Sequence, residues 1–338
     1  MNRKVIVLVL AAMLPQLVHA QDTTKIQRIP KIGGTIRAKY EYQTSEGEGR
    51  FEVRNARVNV TGDISRIVSY KAEIDLCDEG TIKMLDAYTR IKPIKNFQFT
   101  IGQMRVPFTI DAHRSPDQQY FANRSFIAKQ VGNVRDVGAA IGYRIDGAVP
   151  MFFQAGLFNG SGLTNQKDFW TGSVNFSAKA EVSLFAPMKM TLSVQKVEPD
   201  SISIMMYDGG LSLTLGNFFA EAEYLYKHYE NDAFHPVHSV DFFVNYDIPI
   251  RKGIVRKISP LIRYDYMNDH SNGERGDAGV LVINDYQRSR VTGGLTISLS
   301  KPFHSDIRIN YEKYFYRDSG IPKTSEKDKI VIEFMTHF

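Results

Sequence analysis

The chain has one cysteine, Cys77, and one tryptophan, Trp170, in 338 residues. A lone cysteine cannot form an internal disulfide, so the fold must rest on packing and hydrogen bonding. Long apolar runs are missing too. The longest, Val5 to Leu14, is shorter than the roughly 20 residues a helix needs to cross a bilayer, which excludes a helical membrane protein. Charge of one sign is not in excess: 42 Lys and Arg against 37 Asp and Glu leave +5, falling to +3 without Arg3 and Lys4. So small a surplus gives no reason to expect a nucleic-acid partner. Paired cysteines and an HExxH sequence are absent, and nothing calls for a cofactor or a metal. What is abundant is aromatic. The 21 Phe and 17 Tyr, within a 43% hydrophobic composition, exclude a disordered chain. Taken without order, these figures describe a soluble, mildly basic enzyme.

The order says otherwise. Arg3 and Lys4, the apolar run Val5 to Leu14, and Val18-His19-Ala20 before Gln21 read as a secretory signal peptide over residues 1–20, with a buried N-terminal helix as the alternative. No cysteine follows the cleavage site, so a lipid anchor is not implied. Residues 21–31 then form a short periplasmic segment, and 32–338 a single domain.

That domain alternates apolar and polar residues in segments of about ten, with almost no helical period between them. Val68, Tyr70, Ala72, Ile74 and Leu76 share one face; Ser69, Lys71, Glu73 and Asp75 share the other. Val240, Phe242, Val244, Tyr246 and Ile248 oppose Asp241, Asn245 and Asp247, and Ile307, Ile309 and Tyr311 oppose Arg308, Asn310 and Glu312. The pattern predicts sixteen strands, near 32–43, 50–61, 66–77, 82–92, 96–104, 135–145, 149–159, 171–183, 187–198, 203–215, 218–229, 236–248, 255–268, 287–299, 303–317 and 327–338. Connections after even-numbered strands are short, such as Gly62 to Ser65 or Gly216 to Asn217. Those after odd-numbered strands are mostly long and polar, such as Gly160 to Trp170 or Asp269 to Tyr286.

Short turns at one end and long loops at the other describe an all-β, transmembrane antiparallel barrel. Roughly nine to eleven residues per tilted strand span the hydrocarbon, and a sheet can cross it only by closing on itself. Sixteen strands enclose more volume than side chains fill, so the interior should hold water. Tyr40, Tyr42, Tyr224, Tyr226, Tyr264, Tyr266, Tyr314 and Tyr316, near strand ends, suit interfacial girdles or ordinary sheet propensity. Ile330, Ile332, Phe334, Thr336 and Phe338 alternate to a terminal aromatic, and Phe338 resembles the assembly signal that outer-membrane barrels present to their assembly machinery.

Phe51-Glu52-Val53-Arg54-Asn55-Ala56-Arg57, Leu85-Asp86-Ala87-Tyr88, Ile101-Gly102-Gln103-Met104-Arg105-Val106-Pro107-Phe108, Arg135-Asp136-Val137-Gly138 and Gly156-Leu157-Phe158-Asn159-Gly160 follow one another in order. Together they resemble the landmarks of the phosphate-selective porin O and P family over residues 32–165. The resemblance implies a sixteen-stranded, trimeric, passive pore in the outer membrane of a Gram-negative bacterium. It further implies anion preference from Arg and Lys at a constriction, and a third outer loop folded inward. Both termini would be periplasmic.

That loop, Arg105 to Val134, is far longer than an ordinary connection. Val106, Phe108, Ile110, Tyr120, Phe121, Phe126 and Ile127 give it apolar residues that need burial, which packing inside the barrel would supply. Its charges, Arg105, Arg114, Arg124 and Lys129 against Asp111 and Asp117, sum to +2, with Arg135 just beyond. These five basic residues are the expected constriction and anion site, since Arg offers paired donors to phosphate or carboxylate oxygens. Solvated charges paired with neighbouring carboxylates are the alternative.

Alternation adds Arg57, Lys71, Arg90, Arg144, Arg263, Arg288, Arg290 and Arg308 as pore-wall candidates, among Asp75, Asp86, Glu221, Glu223, Asp265 and Glu312. So mixed a wall argues for a porin passing small hydrophilic solutes with mild anion preference. Its partners would be small anionic or polar solutes, membrane lipid and lipopolysaccharide, the assembly machinery, and two further copies. Two alternatives stand beside it: an outer-membrane barrel enzyme of lipase or protease type, and a soluble exported β-sandwich binding protein. For the enzyme, the histidines are scattered, and Gly160-Ser161-Gly162 lacks the strand-turn-helix setting of a nucleophile. His235 and His238 beside Pro236 read as polar surface rather than metal ligands, and no catalytic residue is assigned.

Overall fold

A computed structural model describes residues 29–78, 80–130, 134–163, 166–199, 202–250, 253–300, 305–317 and 324–338. The expected signal peptide and most of the segment after it lie outside these residues. The strands are β1 Lys31–Gln43, β2 Glu48–Asp63, β3 Val68–Asp78, β4 Thr81–Ile91, β5 Phe97–Arg105, β6 Arg135–Ile145, β7 Met151–Phe158 and β8 Asn175–Phe185. They continue as β9 Met188–Val197, β10 Ile204–Leu215, β11 Phe218–Tyr229, β12 Val237–Tyr246, β13 Val255–Met267, β14 Arg288–Leu299, β15 Ser305–Tyr316 and β16 Lys329–His337. A two-residue piece, Ile248–Pro249, prolongs β12 beyond Asp247. Every strand pairs antiparallel with its sequence neighbours, and β1 pairs with β16 from Thr35 opposite His337 to Gln43 opposite Lys329. The sheet therefore closes into a sixteen-stranded barrel, which overturns the β-sandwich alternative. The expected strand start at 171 lies in the loop before Asn175; the other bounds differ by less.

Burial in this fold is inverted relative to a soluble domain. Leu192, Phe242 and Ile262 stand half exposed on the outer face, while Asp265, Glu312 and Arg308 are fully buried within. Only a sheet with hydrocarbon outside and polar contents inside can afford that exchange. The exposed apolar face matches the alternation position by position, since one residue of slip would reverse it. Two aromatics depart from expectation. Tyr314 lies inside, with its hydroxyl on Glu312 Oε2 at 2.7 Å, and Tyr316 follows it in the same parity, bonding the carbonyl of Glu326. The outward aromatics of β15 are instead Tyr311 and Phe315. Tyr314 and Tyr316 lie near the strand end, as a girdle needs, but their parity is that of the inner face.

At the closure Gly34 and Phe338 exchange both backbone bonds, at 2.9 and 3.1 Å. An added Cβ at Gly34 would meet the Phe338 ring at 2.3 Å, so this seam requires glycine.

Replacing outward Ile262 by Arg, near the middle of β13, should lower folding free energy in vesicles by about 2–4 kcal/mol. Replacing inward Gln98 by Arg should change it by less than about 0.5 kcal/mol. Denaturant titration in lipid vesicles measures both, and equal losses would contradict the assigned faces.

Candidate functional site

The connection between β5 and β6 does not leave the barrel mouth. Beyond Arg105 it passes through two short 3-10 turns, Asp111–His113 and Pro116–Gln118, and one helical turn, Ile127–Gln130. Between them it lies against the inner faces of β8 to β15 and β1. Irregular backbone at membrane depth needs a partner for every polar group, and the wall side chains provide them. Thr109, at φ 58 in the left-handed region, donates its N–H to Ser193 Oγ at 3.0 Å, and its carbonyl accepts from Lys179 Nζ at 2.8 Å. Ile110 N–H donates to Glu223 Oε1 at 2.5 Å and Ala122 N–H to Asn310 Oδ1 at 2.9 Å. Carbonyls of Ala122, Asn123, Arg124 and Pro116 accept from Arg37, Arg263, Arg290 and Arg308 at 2.6, 3.1, 2.7 and 3.3 Å.

The loop's apolar side chains find seats in the same wall. Phe108 and Ile127 pack with Ile204, Met206, Leu225 and Val237; Phe121 packs with Phe243 and Leu261; Phe126 packs with Met267. Val106 joins Met104 and Phe158. These wall residues occupy the inward face, where alternation leads one to expect polar groups, and they form the floor on which the loop rests.

The expected constriction residues are held by loop carbonyls and by carboxylates of the loop and wall. Arg105 Nη1 donates to the carbonyls of Ala112 and His113 at 3.3 and 2.5 Å. Arg114 pairs with Glu221 at 2.5 Å and Asp111 at 3.5 Å. Arg124 donates to the carbonyls of Asp111 and Arg114, and Arg135 bridges Asp86 at 2.7 Å and Glu73 at 3.3 Å. Lys129 lies in the helical turn, and its side chain falls outside the described residues.

Burial opposes charge throughout the loop. It works against the Arg114 guanidinium, but Glu221 and Asp111 outweigh it and raise the pKa. It would raise the Asp111 carboxyl, which Arg124, Arg114 and Arg263 instead hold below its ordinary value. Arg124 is lowered by burial, supported by Asp111, and repelled by Arg37, to about 10, so it stays charged. Burial, with Lys179 and Arg105 nearby, pushes His113 well below its ordinary value and keeps it neutral.

The wall candidates divide into two groups. Arg263, Arg288, Arg290 and Arg308 are buried and committed: Arg263 and Arg290 to Asp265 (2.8 and 2.7 Å), Arg308 to Glu333 (2.6 Å), and Arg288 to Asp285 (2.6 Å) and Glu326. Arg57, Lys71, Arg90 and Arg144 lie on the arc β2 to β7, which the loop leaves uncovered. There Arg57 pairs with Asp75 at 2.9 Å, and Lys71 with Glu73 and Asp86 at 2.6 and 2.7 Å. Arg90 donates to Thr100 Oγ1 at 3.1 Å and sits 5.0 Å over the Tyr88 ring; Arg144 lies over Phe152. Among the described residues Arg90, Arg105 and Arg144 pair with no carboxylate. A cavity of about 190 Å³ follows this arc, lined by Lys71, Asp86, Tyr88, Arg90, Gln98, Thr100, Arg105, His113 and Gln154 among others.

Sequence reasoning missed Arg37, Lys39 and Lys179, which are buried and engage the loop. Their signal was present: Arg37 and Lys39 alternate with Ile36, Ala38 and Tyr40, and Lys179 with Ala178 and Ala180.

The family described as phosphate-selective porin O and P matches residues 31–203. No curated protein sequence matches the chain. In solved structures the chain is similar to OmpT of Vibrio cholerae in its trimer form, at 11% identity and TM-score 0.61, covering 92% of this chain and 99% of that one. It is similar to the anion-selective porin of Comamonas acidovorans at 12% and 0.58, covering 92% and 99%. The outer membrane channel DcaP of Acinetobacter baumannii aligns at 12% and 0.59, covering 95% and 100%. At such identities the shared feature is the fold.

Replacing Arg263 by Ala would leave Asp265 with one partner fewer and the Asn123 carbonyl without its donor. Breaking a buried pair costs about 3–5 kcal/mol; the variant should unfold at lower denaturant and show noisier open-channel current. Because His113 is held neutral, the folded state binds fewer protons than the unfolded one as pH falls through about 6.5. Stability should therefore decline below that pH, and His113→Gln should flatten the decline in thermal midpoint. An unchanged pH slope in the variant would contradict this environment.

Proposed function

The chain belongs to the phosphate-selective porin O and P family and is an outer-membrane porin, and we propose that it passes small hydrophilic solutes along the β2 to β7 arc with a mild preference for anions. The carrying observation is the charge balance of that arc. Glu73, Asp75 and Asp86 are each matched by Arg57, Lys71 or Arg135, whereas Arg90, Arg105 and Arg144 remain without a carboxylate. An anion entering the cavity loses part of its hydration and meets guanidinium and amide donors; a cation meets carboxylates already neutralised. Because half of the cationic side chains are paired, the selectivity is modest. Phosphate and small carboxylates fit the paired donors of Arg90 and Arg105 equally well in chemistry.

The fold and family are those of a channel. The trimer form of the Vibrio cholerae relative supports a homotrimer here. The short turns then face the periplasm, at the end of the barrel where Gly34 and Phe338 meet, and the long loops face outward among lipopolysaccharide. The strand ending in Phe338 is what the assembly machinery would engage.

Planar-bilayer reversal potentials in chloride and in phosphate gradients test the reading. The double variant Arg90→Glu, Arg144→Glu should lower the anion-to-cation permeability ratio several-fold and invert the preference, with single-channel conductance retained. An unchanged ratio would refute the selectivity, and absent conductance in the parent protein would refute the pore.

A further inference from the structure

Behind the loop, where β10, β11 and β12 run side by side, carboxylate oxygens of Glu221, Glu223 and Asp241 lie within 4.8 Å of one another, all three buried. Asp208 abuts them on β10, its carboxyl against that of Glu223. Three oxygens find no hydrogen-bond donor: Glu221 Oε1, Asp241 Oδ1 and Asp208 Oδ2, on side chains only 3%, 1% and 5% exposed. The guanidiniums nearby do not cancel this charge. Arg114 grips the other oxygen of Glu221 and is shared with Asp111. Arg263 stands 3.8 Å from Asp241 Oδ1, beyond hydrogen-bond reach, and is closer to Asp265. Four carboxylates thus meet Arg114 and Arg263, each divided with a carboxylate outside the group, and Lys179, which also serves the Thr109 carbonyl and Glu181, so negative charge exceeds positive in a buried place. Beside them is a cavity of about 10 Å³, bordered by Asp241, Arg263, Arg114 and Asp111, enough for about one water.

We infer that these carboxylates hold one divalent cation. The donors are all oxygen, which suits calcium or magnesium and not a softer metal, and water in the adjoining cavity would complete the coordination. The site has a structural consequence. Glu223 also receives the Ile110 and Asp111 amides, so the ion would tie three wall strands to the loop at the point where it turns onto the wall. Glu221 and Glu223 share β11, but Asp208 and Asp241 come from β10 and β12, so no local motif marks the group.

The test uses the mature porin refolded from denaturant in detergent, free of lipopolysaccharide and its bound cations, then passed through EDTA and titrated with calcium chloride or magnesium chloride. One ion per chain by elemental analysis is expected, with a thermal midpoint several degrees lower in EDTA and restored by the metal. Glu221→Gln with Asp241→Asn should abolish both the bound ion and the response to EDTA while keeping the permeability ratio. If that pair fails to refold, Asp208→Asn serves instead and should weaken metal affinity at least tenfold. A metal-free barrel with an EDTA-insensitive midpoint, or unchanged affinity in Asp208→Asn, overturns the inference and leaves protons as the neutralising charge. The anion reading is independent of this outcome, since it rests on the opposite arc.

Discussion

Every structural choice in this chain answers to one constraint: within hydrocarbon, no backbone N–H or C=O can remain without a partner. The sheet meets it by closing β1 onto β16, down to the bonds between Gly34 and Phe338. The loop after β5 meets it by a different route. Having no strand to pair with, it borrows donors and acceptors from wall side chains, so that Lys179, Arg263 and Arg290 serve the carbonyls of Thr109, Asn123 and Arg124. The same side chains must be neutralised in turn, which is why Asp265 and Glu312 are buried with them.

That sequence of requirements divides the interior. Where the loop lies, charges are consumed in holding it, and a buried ion pair contributes specificity of placement more than net stability. Away from the loop, Lys71 and Arg90 retain contact with a cavity, and Arg105 reaches it from the loop's root. The protein thus separates the charges that build the constriction from those that face the solute. On the proposed reading, selectivity follows from the second set alone.

The architecture was legible because alternation is a one-dimensional signal. Each strand reports its own faces, and the closure follows from an even count with short turns at one end. The placement of the loop was only half legible. Phe108, Phe121 and Phe126 announced a need for burial, but their seats, Met206, Leu225, Phe243 and Met267, hide among the polar positions of other strands. Phe243 follows Phe242 directly, and the pair reads as noise until the loop is seen to press on one of them. For the same reason Arg124 and Arg263 read alike in sequence as pore charges, although both are occupied with carbonyls. Cross-strand groups such as Glu221 and Asp241 were invisible, since their proximity depends on register between strands and on nothing local.

The central claim is that the passage follows the β2 to β7 arc while the loop seals the remainder of the wall. Single cysteines introduced at Gln98, Gln154 and Asn310 in a Cys77→Ser background, treated with a small anionic thiol reagent during planar-bilayer recording, test it most directly. The account predicts current block at Gln98→Cys and Gln154→Cys and none at Asn310→Cys, beneath the loop. Block at Asn310→Cys with the other two silent would contradict it.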